Sequence, residues 1–147
     1  MHRIIVFCMA GLLTTLGAVT DAVAVNIELS PQFFAPIKVA PPKVAASGQR
    51  IILTEFTALN PDCSSNGPVR IKIDVAPADG AIEVVSTQVF PNYPPDNVRN
   101  RCNSRRVPGQ IVYYTSHAGF TGLDKVVFES FFPNGTGILS RVPIVVR

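Results

Sequence analysis

The chain predicts an all-β protein built as an antiparallel β-sandwich. Three observations carry that reading. Short β-branched and aromatic runs are punctuated by glycine, proline and asparagine turn signals. Val69–Val75 alternates apolar and charged residues, as a strand with one wet face does. Beyond the first residues no stretch sustains a 3.6-residue apolar period, which argues against helices.

The chain begins as a removable address. Met1-His2-Arg3 is basic, Ile4–Leu16 is apolar, and Ala22-Val23-Ala24 is the small-x-small pattern that signal peptidase cuts. The apolar run falls short of the roughly 18–20 residues a membrane span needs, so an uncleaved anchor is the weaker alternative. Residues 1–24 are therefore expected to leave as a signal peptide, taking Cys8 with them. Residues 25–147 remain as one domain, with no transmembrane segment after that removal and an expected location in the periplasm or outside the cell.

Val25–Leu29 reads as a short first strand. Ser30–Lys43 holds Pro31, Pro36, Pro41 and Pro42 and reads as an edge or extended arm, anchored by Phe33 and Phe34. Gln49–Thr57 is a strand after the Ser47-Gly48 turn, and Asn60–Pro68 is a turn-rich loop. In Val69–Val75, the residues Val69, Ile71, Ile73 and Val75 are expected to share the core face. Ala76–Gly80 is a turn and Ala81–Ser86 a strand. Thr87–Gln110 is a long insertion, and insertions of that size in compact domains are often functional.

Ile111–Phe132 organises the rest. It reads as strand, Gly-rich corner and strand, with Gly119 and Gly122 flanking Phe120 so that the ring turns inward and plugs the end of the core. Pro133-Asn134-Gly135 is a hairpin turn. Ile138–Val146 is the last strand, and Pro143 within it predicts an edge position or a bulge.

Cysteine usage fits export. Cys63 and Cys102 survive signal removal, and an even count in an exported chain reads as one disulfide. A zinc site built from two lone cysteines and His117 is a thin alternative, and the missing C-x-x-C disfavours redox chemistry. The residues call for no metal and no cofactor.

The net charge of +3 is mild, so no nucleic-acid partner is expected. Its functional weight lies in the insertion, where Arg99, Arg101, Arg105 and Arg106 gather beside Tyr93. The guanidinium fork suits phosphate and carboxylate groups, so an envelope protein, a glycan or an anionic lipid surface is the expected partner. A solvated loop kept soluble by its arginines is the plainer reading. Catalysis is poorly supplied. His117 is the one histidine after the signal, no nucleophile-elbow pattern flanks a serine, and the carboxylates are scattered. A small hydrolase using His117 is the weakest alternative. A structural component self-associating through edge strands stands between it and a binding module.

From Ala76 onward the chain resembles the cadherin-like, immunoglobulin-like repeat domains of exported and surface bacterial proteins. The resemblance rests on APADG at Ala76–Gly80, on YYTSHAGFTGLDKVVFESF at Tyr113–Phe131, and on RVPIVV at Arg141–Val146. It implies an immunoglobulin-like sandwich. It also implies that Gly119, Phe120, Gly122 and Asp124 form a structural corner, with Asp124 accepting backbone N–H bonds. Ser116 stands where the family pattern has proline. No acidic cluster of the kind that binds calcium in some relatives is present.

Overall fold

The computed structural model describes residues 37–147. The expected signal peptide of residues 1–24, the expected strand Val25–Leu29 and the expected anchors Phe33 and Phe34 lie outside the described residues.

Among the described residues eight strands are formed: β1 (Lys38–Val39), β2 (Lys43–Ala45), β3 (Arg50–Phe56), β4 (Arg70–Val75), β5 (Gly80–Val89), β6 (Val107–Ser116), β7 (Gly122–Phe131) and β8 (Gly137–Val146). One sheet runs β1-β8-β7-β4, with β2 also on β8, and the other runs β3-β6-β5. The fold is thus an all-β sandwich. It is not wholly antiparallel, because β1 and β2 pair parallel with β8.

Alternation on the long strands builds the core. Val112 and Tyr114 of β6 face Val126 and Phe128 of β7 and Val142, Ile144 and Val146 of β8, all buried, with Leu53 and Ala45 at the flanks. A bulge in β3 between Ile52 and Thr54 lets Ile51, Leu53 and Phe56 all pack against this core. Phe56 meets Phe128 edge to face, with ring centroids 6.1 Å apart.

A second bulge, between Ile73 and Val75, corrects the expected face of β4. Val69 is buried, and Ile71 and Ile73 pack on the core, but Val75 is 44% exposed. One extra residue shifts the side-chain parity, and alternation in the sequence does not reveal it.

The insertion is shorter than expected. Thr87–Val89 continues β5 and Val107–Gln110 opens β6, leaving Phe90–Arg106 as the loop. Pro108 pairs with Gln88 at a position whose N–H would not have bonded to β5, so the ladder tolerates it.

Pro143 is neither at an edge nor in a bulge. It lies inside β8, opposite Lys125 of β7, with the N-terminal arm on the other side. The Ala40 N–H donates to the Arg141 carbonyl, so Arg141 directs its backbone groups toward the arm. Pro143, two residues on, has the same parity. Its missing N–H therefore faces the break between β1 and β2, where Pro41 and Pro42 interrupt the arm. Proline is accommodated because its neighbour also stops pairing there.

Gly80 opens β5 under the ring of Tyr114. A Cβ there would collide with that ring and lie 2.7 Å from the Thr115 carbonyl oxygen. Gly80→Ala is expected to destabilise by about 1–3 kcal/mol through overpacking, read as a lowered midpoint in chemical denaturation.

Candidate functional site

Two loops meet on the outer face of the β3-β6-β5 sheet. Outward positions of these strands place Val89, Val107 and Ile111 there, and all three are buried with Leu59 and Cys102 in a second, smaller core. Tyr93, Tyr113 and Cys63 pack around it. The insertion therefore roofs one end of the small sheet.

The first loop follows β3. Asn60 N–H bonds to the Ser64 carbonyl and Asn66 N–H to the Ala58 carbonyl, making a narrow hairpin. Asp62 caps its tip, accepting from Ser64 N–H at 3.0 Å and from Ser64 Oγ at 2.6 Å. These two bonds hold the exposed carboxyl below its usual range. Cys63 sits at this tip with φ 71°, a left-handed conformation.

The second loop carries a short 3-10 helix, Asn100–Ser104, whose Cys102 is fully buried. The disulfide Cys63–Cys102 joins the loops, with Cα atoms 5.5 Å apart. Asn100 and Asn103 clamp the backbone of Tyr93. Their side-chain amides donate to its carbonyl at 2.8 and 2.9 Å, and Asn103 Oδ1 accepts its N–H at 2.9 Å. The Tyr93 hydroxyl lies 3.2 Å from Thr57 Oγ1.

The four arginines divide by role. Arg99 Nε donates to the Leu59 carbonyl at 2.6 Å, and Arg101 donates through Nε and Nη2 to the Pro61 carbonyl. These two staple one loop to the other. Arg105 and Arg106 are exposed, and the Arg106 guanidinium lies 5.5 Å from the centre of the exposed Phe90 ring. Among the described residues, none of the four is in an ion pair.

Arg99 and Tyr93 also share a cleft of about 260 Å3 with Asn66 and Asn134, floored by Leu59, Phe132 and Pro133. Among the described residues, Arg99 is the only charged one lining it. That volume suits one headgroup or side chain rather than a drug-sized ligand. Asn66 and Asn134 read in the sequence only as turn residues; nothing in their spacing links them to Arg99. A larger cleft of about 470 Å3 between the sheet ends is lined by uncharged residues, among them Ser86, Gln88 and Gln110, and by none of the residues expected at the site.

The corner lies elsewhere. Gly119 (φ 82°) and Gly122 (φ 145°) flank a half-buried Phe120 that packs on the main core. Asp124 is buried and accepts from Ala78 N–H at 3.0 Å, Asp79 N–H at 3.1 Å, Lys125 N–H at 2.8 Å and the Tyr114 hydroxyl at 3.0 Å. Burial opposes its charge, but the backbone donors and Tyr114 outweigh it and hold the carboxyl below its usual range. Burial first, and then Asp124, push the Tyr114 phenol well up. Ser116 accepts from Gly48 N–H at 2.8 Å, fastening the corner to the Ala46–Gly48 turn. His117 is exposed, and its described bonds are backbone ones. Among the described residues, no group of three metal-ligating side chains is placed to hold an ion.

The geometry defines a disulfide-pinned all-β sandwich with a cationic loop surface. No family model matches the chain, and no curated protein matches it. Among solved structures it is similar to the solution structure of Amebosin, at 17% identity over 76% of this chain and 96% of that one, with a TM-score of 0.39. It is also similar to PbICP-C in complex with falcipain-2, at 10% identity over 77% and 91% of the two chains, with a TM-score of 0.33. Neither likeness carries a functional argument.

Proposed function

We propose that this is an exported, non-enzymatic binding module of the bacterial envelope, periplasmic or secreted, that contacts an anionic partner through its pinned loop. The kinship of its corner with cadherin-like, immunoglobulin-like domains belongs to the same proposal. One observation carries the reading. Arg105 and Arg106 stand exposed, Arg106 beside exposed Phe90, on a loop held by a disulfide and by Arg99 and Arg101, with Arg99 also lining a small cleft. A cationic surface held in place loses little entropy on binding, which favours recognition over solubility as its role. The cleft, with Arg99 in its lining, admits one phosphate- or carboxylate-bearing group, and the exposed Arg105, Arg106 and Phe90 of the same loop suit the surface that presents it.

The exposed pair makes a clean test, because Arg99 and Arg101 hold the loop together. Arg105→Ala with Arg106→Ala is expected to leave the melting temperature within a degree or two. It is expected to weaken sedimentation with phosphatidylglycerol vesicles, or retention on native envelope fractions, by about tenfold at low salt. Wild-type binding should fall as salt rises. Retention unchanged by the double substitution at low and moderate salt refutes the loop as the contact surface.

A further inference from the structure

β5 is a ten-residue strand that, among the described residues, has a ladder partner on one side only. Its parity can be read from the hydrogen bonds. His117 N–H donates to the Asp79 carbonyl, and the β5–β6 register then runs without a shift from Gly80↔Ser116 to Val89↔Val107. Residues of Asp79's parity, namely 81, 83, 85, 87 and 89, therefore bond to β6. Ile82, Val84, Ser86 and Gln88 direct their N–H and C=O groups to the opposite edge, where no described strand pairs with them.

Edges of this kind are normally guarded, and the other edges of this fold are. β4 has Lys72 and a bulge, β3 has a bulge and Glu55, and the arm is cut by Pro41 and Pro42 and carries Lys38 and Lys43. β5 has no proline, no lysine and no bulge. Its one charge, Glu83, is on the outer face and already pairs with Arg50. Val84 is 40% exposed on the face turned toward the other sheet.

We propose that β5 pairs antiparallel with β5 of a second copy, across a two-fold axis centred on Val84. The strand is self-complementary in that register. Val84 meets its symmetry mate, Ile82 meets Ser86, and Glu83 meets Val85. Gly80 meets Gln88, so nearly the whole strand takes part. No like charges oppose each other, whereas centring on Glu83 would set two carboxylates face to face. All the outward backbone groups of Ile82, Val84 and Ser86 find partners, and the exposed Val84 is covered. The sheet then runs β3-β6-β5 of one copy into β5-β6-β3 of the next, a closed two-fold pair. Because the axis is perpendicular to the sheet, both loop roofs fall on the same side. Resting on the loop reading above, the dimer is bivalent and gains avidity on an extended anionic surface.

Sedimentation and amide hydrogen exchange on residues 25–147, over a concentration range up to about 1 mM, test the pairing. The mass is expected to rise from monomer to dimer, with slowed exchange at Ile82, Val84 and Ser86 only in the dimer. Ser86→Pro removes one outward N–H and spares the β6 ladder, and Val84→Lys adds a charge at the axis. Each is expected to weaken dimerisation at least about tenfold while the dilute monomer stays folded. A mass that stays monomeric throughout, a dimer in which these amides exchange as in the monomer, or protection already present in the dilute monomer overturns the proposal. Arg105→Ala with Arg106→Ala should dimerise normally, so failure of the loop reading leaves this result standing. Ser86→Pro should bind vesicles with weakened apparent affinity, through lost avidity alone.

Discussion

Asp124→Asn is expected to destabilise the protein by about 3 kcal/mol at neutral pH, the scale of losing charge-assisted hydrogen bonds inside a fold. The carboxylate is acceptor-only, and four donors converge on it: three backbone N–H groups and the Tyr114 hydroxyl. An amide supplies one oxygen and two N–H donors, so at least one backbone donor would face another donor. The donors come from the turn before β5, from β6 and from β7, so the loss loosens the corner as a unit. The pH dependence follows from the direction of the shift. A carboxyl held below its unfolded value contributes stability that is fully present above that value, about 4, and is lost as pH falls through the folded value. Chemical denaturation of the wild type from pH 7 downward should therefore show a decline below about pH 4 that Asp124→Asn lacks. Tyr114→Phe should cost less, about 1 kcal/mol, and should raise the acid limb, because Asp124 loses a donor but keeps its backbone partners. Equal acid limbs in wild type and Asp124→Asn would remove the carboxylate as the keystone of the corner.

The corner was legible because its physics is local. Glycine on both sides of one aromatic, followed by an aspartate, specifies backbone freedom and an acceptor within a few residues. The misread features depend on what lies across the sheet. Val75 follows the alternation of Val69, Ile71 and Ile73, and only the bulge opposite Val127 turns it outward. Pro143 obeys the rule that proline avoids paired positions, but the rule is satisfied by a break in the neighbouring arm. Pro108 read as loop because its pairing with Gln88 has a parity no sequence displays. The arginines show the same limit at the site. Four in a short stretch read as one surface, but Arg99 and Arg101 meet carbonyls some forty positions away in sequence, at Leu59 and Pro61. Sequence proximity reported the charge and was silent on which forks were already engaged.

Replacing Cys63 and Cys102 together by serine is expected to destabilise by about 2–5 kcal/mol, since the bridge closes a loop across 39 positions. The damage should be uneven. Cys102 belongs to the small core beneath the roof, with Leu59, Val89, Val107 and Ile111, whereas Val112, Tyr114, Phe128 and Ile144 belong to the main one. The sandwich should therefore still fold while the roof loosens. Hydrogen exchange should show faster amides at Asn60, Cys102 and Arg105 and little change in the β7–β8 ladder. The arginines all remain in the variant, so composition predicts undiminished binding to anionic vesicles. A surface that depends on being held predicts the opposite. Without the bridge, the Arg99–Leu59 and Arg101–Pro61 bonds must bear the ordering of both loops alone, and affinity should fall several-fold at low salt. Binding that survives the double serine variant intact, alongside the loosened exchange, would assign the attraction to charge alone and reduce the disulfide to a stabiliser of the fold.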